Sequence, residues 1–126
     1  MANFSNYPNL KGALWLSICF HVQMLTYYSS VVIQPTVLRE GGYEKLGFYS
    51  LVVLFVCLAI FAFIAPVIVA KISAIRIFQF SCITFAFWNI TIYLCTLDTM
   101  DKGLASFLLI IGSGAEGTGS GLMWVC

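Results

Sequence analysis

The longest uncharged run limits what this chain can fold into. Residues 46–70 form a stretch of 25 residues without one charged side chain. As a helix rising about 1.5 Å per residue, the stretch extends roughly 37 Å, enough to cross a hydrocarbon core of about 30 Å with some tilt. It ends at Lys71, and soon after Arg76 another uncharged run begins. The pattern predicts a tight antiparallel hairpin of two membrane spans with a short basic loop, Lys71–Arg76.

The composition places the whole chain in the membrane class. Hydrophobic residues make up 61% of the 126 residues and charged residues only 9%, against about 25% charged in soluble domains. The prediction is an all-α, polytopic integral membrane protein in contact with lipid. A net charge of +1 argues against nucleic acid as a partner. The pattern shows no enzyme constellation, metal site or cofactor site.

The five cysteines are dispersed, which favours small packing residues over disulfide or metal chemistry. They are Cys19, Cys57, Cys82, Cys95 and Cys126.

Two more apolar runs complete the pattern, and Glu116 interrupts the second of them. The predicted spans are 12–35, 46–70, 77–97 and a fourth, incomplete or terminal one at 103–126, in a single domain covering 1–126. Pro35 is expected to end or kink the first span. Because the fourth span reaches the last residue without a polar flank, the chain is interpreted as a fragment or truncated module. Each side of the membrane receives three Lys or Arg residues, so the purely basic loop decides the orientation and predicts a cytoplasmic N-terminus.

Polar residues inside the spans are candidates for an intramembrane site. They are Glu116, His21, Gln23, Gln34 and Asn89. Glu116 lies about 20 Å into the fourth span by helix rise, where a carboxylate is costly unless it is paired, protonated or hydrated. Its functional interpretation is a proton or cation site, or a pairing point for another helix. Its structural interpretation is a neutral carboxyl bonded to a neighbour, or a residue near a water-filled entrance.

For His21 and the two glutamines as well, the sequence leaves both a functional and a structural role open. His21 could pair with Glu116, although a neutral imidazole bonded to a serine or a backbone carbonyl is favoured. Gln23 and Gln34 could line a substrate path, or they could join helices together.

The fourth span also carries small residues at four-residue spacing. Ser113, Gly117 and Gly121 form a small-xxx-small face, which lets two helix backbones approach closely. This face is predicted to pack against another helix rather than against lipid. Asn3-Phe4-Ser5 and Asn89-Ile90-Thr91 match glycosylation acceptors, but the second lies at membrane depth, where it would be unreachable.

With the spans placed, the chain resembles the N-terminal portion of the Uncoordinated-ninety-three-like family, ion-channel regulatory proteins of the major facilitator superfamily. The similar stretches are Leu46-Gly47-Phe48-Tyr49-Ser50-Leu51, Ala65-Pro66 before the basic loop, and the glycine-rich span leading to Gly121-Leu122-Met123-Trp124. The resemblance implies the first three or four spans of a six-helix half. It covers nearly all of this chain but only about a third of a twelve-span member.

The chain departs from the facilitator pattern at two places. The loop between the second and third spans keeps Lys71 and Arg76 but lacks the acid and the glycine of the facilitator gate, and Glu116 stands where the family has mostly small residues. The sequence therefore favours a regulatory or structural subunit that binds other transmembrane helices or subunits. Two alternatives stay open: the opening part of a small-solute transporter, and a small accessory subunit of a large membrane complex.

Overall fold

The structure is a computed structural model that describes residues 8–97 and 100–125, with side-chain surroundings from residue 10 onward. The described residues form four α-helices without a strand, so the all-α prediction is confirmed. The helices are α1 (Pro8–Glu40), α2 (Leu46–Val69), α3 (Ala74–Cys95) and α4 (Lys102–Met123). Their ends lie close to the predicted spans, except at α1, which is longer at both ends. Asn3-Phe4-Ser5 and Cys126 lie outside the described residues.

Helix α1 continues through Pro35 to Glu40, so the prediction of a span ending at Pro35 is wrong. A proline inside a helix removes one backbone hydrogen bond. Here α2 packs against the part of α1 that continues past the proline. Gly47 brings the first turn of α2 against Pro35, since a Cβ on Gly47 would lie 2.9 Å from the Pro35 Cα atom. One turn further on, Leu38 is fully buried. Tertiary contacts thus outweigh the local preference of proline.

Three of the four helices are long and apolar enough to cross a membrane. They are α1 from Leu10 to Glu40, α2 and α3. This supports an integral membrane protein. Helix α4 has 22 residues, or roughly 33 Å, but Glu116 and its polar neighbours set it apart from the other three.

Helix α4 lies between α2 and α3 and contacts both extensively, whereas α1 contacts α2 and α3 over a smaller area. The prediction that the second and third spans form a tight hairpin is therefore wrong. The short loop at residues 70–73 keeps them consecutive, but their main packing partner is α4 and not each other. The physical reason is that α4 carries small residues on two sides, so both neighbours pack closely against it.

The helices alternate in direction, and the charged residues lie near their ends. Lys102 of α4 lies 5.8 Å from the ring centre of Tyr43 in the α1–α2 loop, which places those segments at one end of the bundle. At the other end, Met123 of α4 shares a cavity with Ala74 of α3 and Ala13 of α1. Among the described charged residues, Glu116 alone lies deep within a helix. This arrangement matches the two polar faces of a bilayer.

The outward surface is strongly apolar. The most exposed large apolar side chains all belong to the three candidate spans. They include Leu25 (71%), Val32 (74%), Phe63 (88%) and Ile83 (68%). Such a surface is unstable in water but suits lipid or the apolar face of another membrane helix.

The topology predicts that residues 44 and 73 lie on opposite sides of the membrane. Glu44→Cys is preferred to a cysteine at the neighbouring Gly42, because Gly42 has a φ of 82°, which a side chain disfavours. In a background without the native cysteines, a membrane-impermeant thiol reagent should label Glu44→Cys and Ser73→Cys from opposite sides of sealed vesicles. Labelling of both from the same side would contradict this topology.

Candidate functional site

Helix α4 packs against α2 through a face of glycines. A Cβ on Gly117 would collide with the Leu54 carbonyl oxygen and would lie 2.9 Å from the Cys57 Cβ. A Cβ on Gly121 would lie 2.6 Å from the Leu58 carbonyl oxygen. These positions hold no side chain larger than hydrogen unless the helices separate. Gly117 and Gly121 therefore pack against α2 of this chain, and assembly with other membrane helices through this face stays a prediction.

A second glycine face of α4 contacts α3. A Cβ on Gly112 would lie 2.6 Å from the Thr91 hydroxyl oxygen, and one on Gly119 would lie 3.2 Å from the Ser81 Cα atom. Sequence reasoning missed this face. The signal was the seven-residue spacing of Gly112 and Gly119, which places them on one side of the helix.

Between the two glycine faces, α4 presents three polar residues to the interior of the bundle. Ser113, Glu116 and Ser120 follow the three- and four-residue spacing of one helix side, and all three are buried. Ser113 therefore belongs to this polar side as well as to the predicted small-residue face. The glycines bring α2 and α3 close, and this proximity encloses the polar side.

Glu116 is the centre of this polar side and is fully buried. Its Oε1 accepts a hydrogen bond from the Ser120 hydroxyl at 2.6 Å, one helical turn along α4. Its Oε2 lies 3.1 Å from the Thr84 hydroxyl oxygen of α3. Both partners are neutral hydroxyl groups, so the carboxyl group is hydrogen-bonded between two helices and not part of an ion pair with either partner.

The Thr84 hydroxyl has two possible acceptors but only one proton. It lies 3.0 Å from the Ser81 carbonyl oxygen as well as 3.1 Å from Glu116 Oε2. A carbonyl oxygen can only accept. If Thr84 donates to Ser81, the contact with Glu116 requires a proton on the carboxyl group; if Thr84 donates to Glu116, the carboxyl group can be ionised.

The polar contacts continue from α3 to α1. The Gln23 side-chain amide donates to the Ser81 hydroxyl at 3.0 Å, and the Cys82 thiol donates to the Gln23 side-chain oxygen at 3.3 Å. Gln23 thus joins α1 to the same turn of α3 that approaches Glu116. Small or polar residues at three- and four-residue spacing form a stripe on α3 that faces inward: Ser81, Thr84, Trp88, Thr91 and Cys95 are all buried.

The remaining polar candidates join α1 to its neighbours elsewhere. The Gln34 side-chain amide donates to the Ser50 hydroxyl at 2.6 Å, and Ser50 donates to the Gly47 carbonyl oxygen. The Ser30 hydroxyl donates to the Asn89 side-chain oxygen at 3.1 Å. Gln34 and Asn89 therefore connect helices, which is one of the two roles that the sequence left open for such residues.

His21 lies away from Glu116, so the structure does not bring the only histidine and the buried acid together. The imidazole is exposed on α1, and its Nδ1 donates to the Ser17 carbonyl oxygen at 2.7 Å. The favoured interpretation, an imidazole bonded to a backbone carbonyl, agrees with this geometry. Lys71 and Arg76 are exposed beside the α2–α3 loop, as predicted for the basic loop.

Four buried polar atoms lack a hydrogen-bond partner among the described residues. They are Tyr27 Oη, Gln34 Oε1, Trp88 Nε1 and Ser113 Oγ. Three of these side chains lie at the level of Glu116. Ser113 precedes it by three residues on α4, Trp88 follows Thr84 by four on α3, and Tyr27 packs against Trp88 with ring centres 6.1 Å apart.

A cavity of about 410 Å³ lies between α1 and α3, next to Gln23. Its walls are mostly apolar and include Val22, Phe78 and Phe85, together with the thiol-bearing Cys19 and Cys82. The Gln23 amide is occupied by Ser81 and Cys82, so this cavity suits an apolar ligand or lipid chain better than a polar solute.

The cysteines show no metal or disulfide chemistry in the described residues. Cys19, Cys57, Cys82 and Cys95 are free thiols, and the described residues contain no group of three or more side chains suited to hold a metal ion. Of the four, Cys95 alone is buried, whereas Cys19 and Cys82 are exposed, so the prediction of core packing positions holds for Cys95 and is wrong for Cys19 and Cys82, which lie on the outward surfaces of α1 and α3.

The sequence identified Glu116 as the central residue but missed its surroundings. Ser120 could have been found from its four-residue spacing to Glu116. No local pattern pairs Thr84 with Glu116, because that contact depends on how α3 and α4 align. Tyr27 and Trp88 were not selected either, since aromatic residues in a span are usually packing residues or interface anchors.

Comparison of the chain with known protein families, with curated proteins and with solved structures finds no match.

The α2–α4 contact predicts unequal effects of two glycine substitutions. Gly117→Ala should destabilise the bundle by about 1–3 kcal/mol, the usual cost of overpacking, because the added methyl collides with α2. Gly114→Ala is the matched control, since its Cβ would have no neighbour closer than 3.8 Å. The free energy of unfolding in detergent checks this prediction, and equal effects of the two variants would contradict it.

Substitutions of Glu116 test the hydrogen-bonding arrangement. Glu116→Gln should leave stability nearly unchanged, because the amide can donate to Thr84 while its oxygen accepts from Ser120. Glu116→Leu should cost about 1–2 kcal/mol, in the range for polar contacts between membrane helices. The same unfolding measurement compares the two, and a larger loss for glutamine than for leucine would show that the network is misassigned.

Proposed function

We propose that this chain is a membrane-embedded regulatory or structural subunit of major-facilitator-like origin that binds other transmembrane proteins. The observation that carries the proposal is on the outward face of α1. There, His21 and Tyr28 lie two turns apart on one helix side and are both exposed at membrane depth. Lipid chains offer neither side chain a hydrogen-bond partner.

The imidazole has a defined hydrogen-bonding capacity. Because Nδ1 donates to the Ser17 carbonyl oxygen, the Nε2 atom of the neutral ring is an acceptor. Tyr28 adds a hydroxyl that can donate or accept. A neighbouring membrane helix with a hydroxyl or amide side chain would satisfy this face, and such contacts associate helices inside a bilayer.

The way in which α1 is held also supports a binding role. Its contacts with α2 and α3 cover a smaller area than the contacts of α4. Outward residues around His21 and Tyr28 are large and apolar, including Leu25 and Val32. This face can therefore pack against a partner helix without exposing the polar interior of the bundle.

The major-facilitator origin is proposed from the similar stretches of sequence, and two of their residues take part in close contacts. Gly47 lets α2 approach Pro35, and Ser50 accepts from Gln34. Both residues act where α1 meets the start of α2. A small or hydroxyl residue at these positions thus has a packing reason in addition to the resemblance.

The His21 face is tested by capture of partner proteins from native membranes. His21→Leu combined with Tyr28→Phe should reduce the amount of co-purified partner at least about tenfold, because both polar contacts are removed. His21→Gln is the matched control, since the amide oxygen keeps an acceptor in the membrane. Partner recovery that is unchanged in the double variant would contradict this interface.

A transporter for a small solute is the second candidate, favoured by one observation, the buried carboxyl group of Glu116. In that case Glu116→Gln should abolish uptake into reconstituted vesicles while the folded state persists. In the proposed subunit the same variant should leave partner binding intact. An accessory subunit of a large membrane complex would use the same face of α1 and differs only in the partner.

A further inference from the structure

We propose that Glu116 is a reversible proton-binding site, in which Tyr27, Trp88 and Ser113 stabilise the carboxylate after the proton leaves. The proposal is independent of partner binding by α1. It rests on the hydrogen-bond donors and acceptors around Glu116. They can bond the carboxyl group when it is protonated and, with additional donors, when it is ionised.

The protonated state satisfies every short contact of the carboxyl group. With a proton on Oε2, Glu116 donates to the Thr84 hydroxyl, and Thr84 in turn donates to the Ser81 carbonyl oxygen. Ser120 donates to Oε1 at 2.6 Å. Each hydrogen atom then lies between one donor and one acceptor, and the buried carboxyl group carries no charge.

The ionised state can recruit donors that are otherwise unused. When the proton leaves Oε2, the Thr84 hydroxyl can turn from Ser81 to the carboxylate. Tyr27 Oη, Trp88 Nε1 and Ser113 Oγ are buried donors without a partner among the described residues. Ser113 precedes Glu116 by one turn of α4, Trp88 follows Thr84 by one turn of α3, and the Tyr27 ring packs against Trp88, so in the proposal these donors turn toward the charge directly or through a water molecule. Hydrogen bonds to a charged group are stronger than those between neutral groups, so these donors favour the ionised form.

The described titratable groups around Glu116 include no cation. Tyr27 of α1 packs against Trp88, one turn from Thr84, Cys57 of α2 lies against the neighbouring Gly117, and Cys82 of α3 lies two residues before Thr84. These groups are ordinarily neutral. The described Lys and Arg residues lie near the helix ends, and Lys102 is about 21 Å from Glu116 along α4 by helix rise.

The proton also has a route to the outside of the bundle. Ser81, which accepts from Gln23, lies one turn before Thr84, and Gln23 and Cys82 line the cavity between α1 and α3. The walls of this cavity are mostly apolar, but Gln23 and Cys82 add polar atoms to them, within one helical turn of Thr84. A single water molecule held by these atoms would accept the released proton, and no other bond is made or broken.

The test is a pH titration of the full chain in lipid nanodiscs, followed by infrared difference spectroscopy of carboxyl groups. Wild type should show a carboxylic-acid carbonyl band that is replaced by carboxylate bands as the pH rises, and Glu116→Gln should lack this change. Tyr27→Phe and Ser113→Ala should each move the midpoint to higher pH, by about tenfold in proton concentration, because each removes a donor that stabilises the anion.

Two matched variants separate these donors from general effects of substitution. Tyr93→Phe removes an exposed phenol on α3, and Ser106→Ala removes a hydroxyl on α4 that donates to the Lys102 carbonyl oxygen; neither should move the midpoint. If Tyr27→Phe fails to fold, Ser113→Ala carries the test. An acid band that never titrates, a band absent at every pH, or equal midpoints in all variants would each overturn the proposal.

Discussion

The close approach of α4 to its two neighbours is the constraint on which the rest of the structure depends. Without a hydrophobic force between helices in lipid, close packing and interhelical hydrogen bonds must hold them together. Gly117 and Gly121 let α4 approach the backbone of α2, while Gly112 and Gly119 admit Thr91 and Ser81 of α3. A larger side chain at any of these positions would separate the helices, and the separation would open the polar side of α4 to lipid or water.

This packing also explains how the chain can retain a buried acid. Glu116 lies between the two glycine faces, so the same approach that joins α4 to α3 brings the Thr84 hydroxyl to the carboxyl group at 3.1 Å. The cost of burying the group is offset locally by two hydroxyl partners rather than by a cation. The close packing of α4 against α2 and α3 therefore accounts for both the fold and the candidate site.

Much of this arrangement could be predicted from local patterns, and the remainder depends on helix alignment. Long apolar runs predicted the four helices, and the three- and four-residue spacing of Ser81, Thr84 and Trp88 puts them on one side of α3, the side that the structure buries. The short loop after α2 suggested a hairpin, but a short loop only keeps two helices consecutive and does not decide which helices pack together. The expected end of the first helix at Pro35 failed for a similar reason, because the contacts of Gly47 and Leu38 come from tertiary packing and not from local sequence.

The four helices are held by two different kinds of interaction, and this difference has a consequence for motion. Helix α4 is fixed by backbone approach along two faces, which tolerates almost no displacement. Helix α1 is joined to α3 and α2 through separate polar contacts at Gln23, Ser30 and Gln34, and close packing is added near its C-terminal end, where Gly47 of α2 approaches Pro35. A change near Glu116 would therefore move the N-terminal part of α1 more readily than the segment around Pro35, because Gln23 bonds the turn of α3 that precedes Thr84 through hydrogen bonds that can break and reform. The exposed face of His21, the surface proposed to bind a partner, belongs to this N-terminal part.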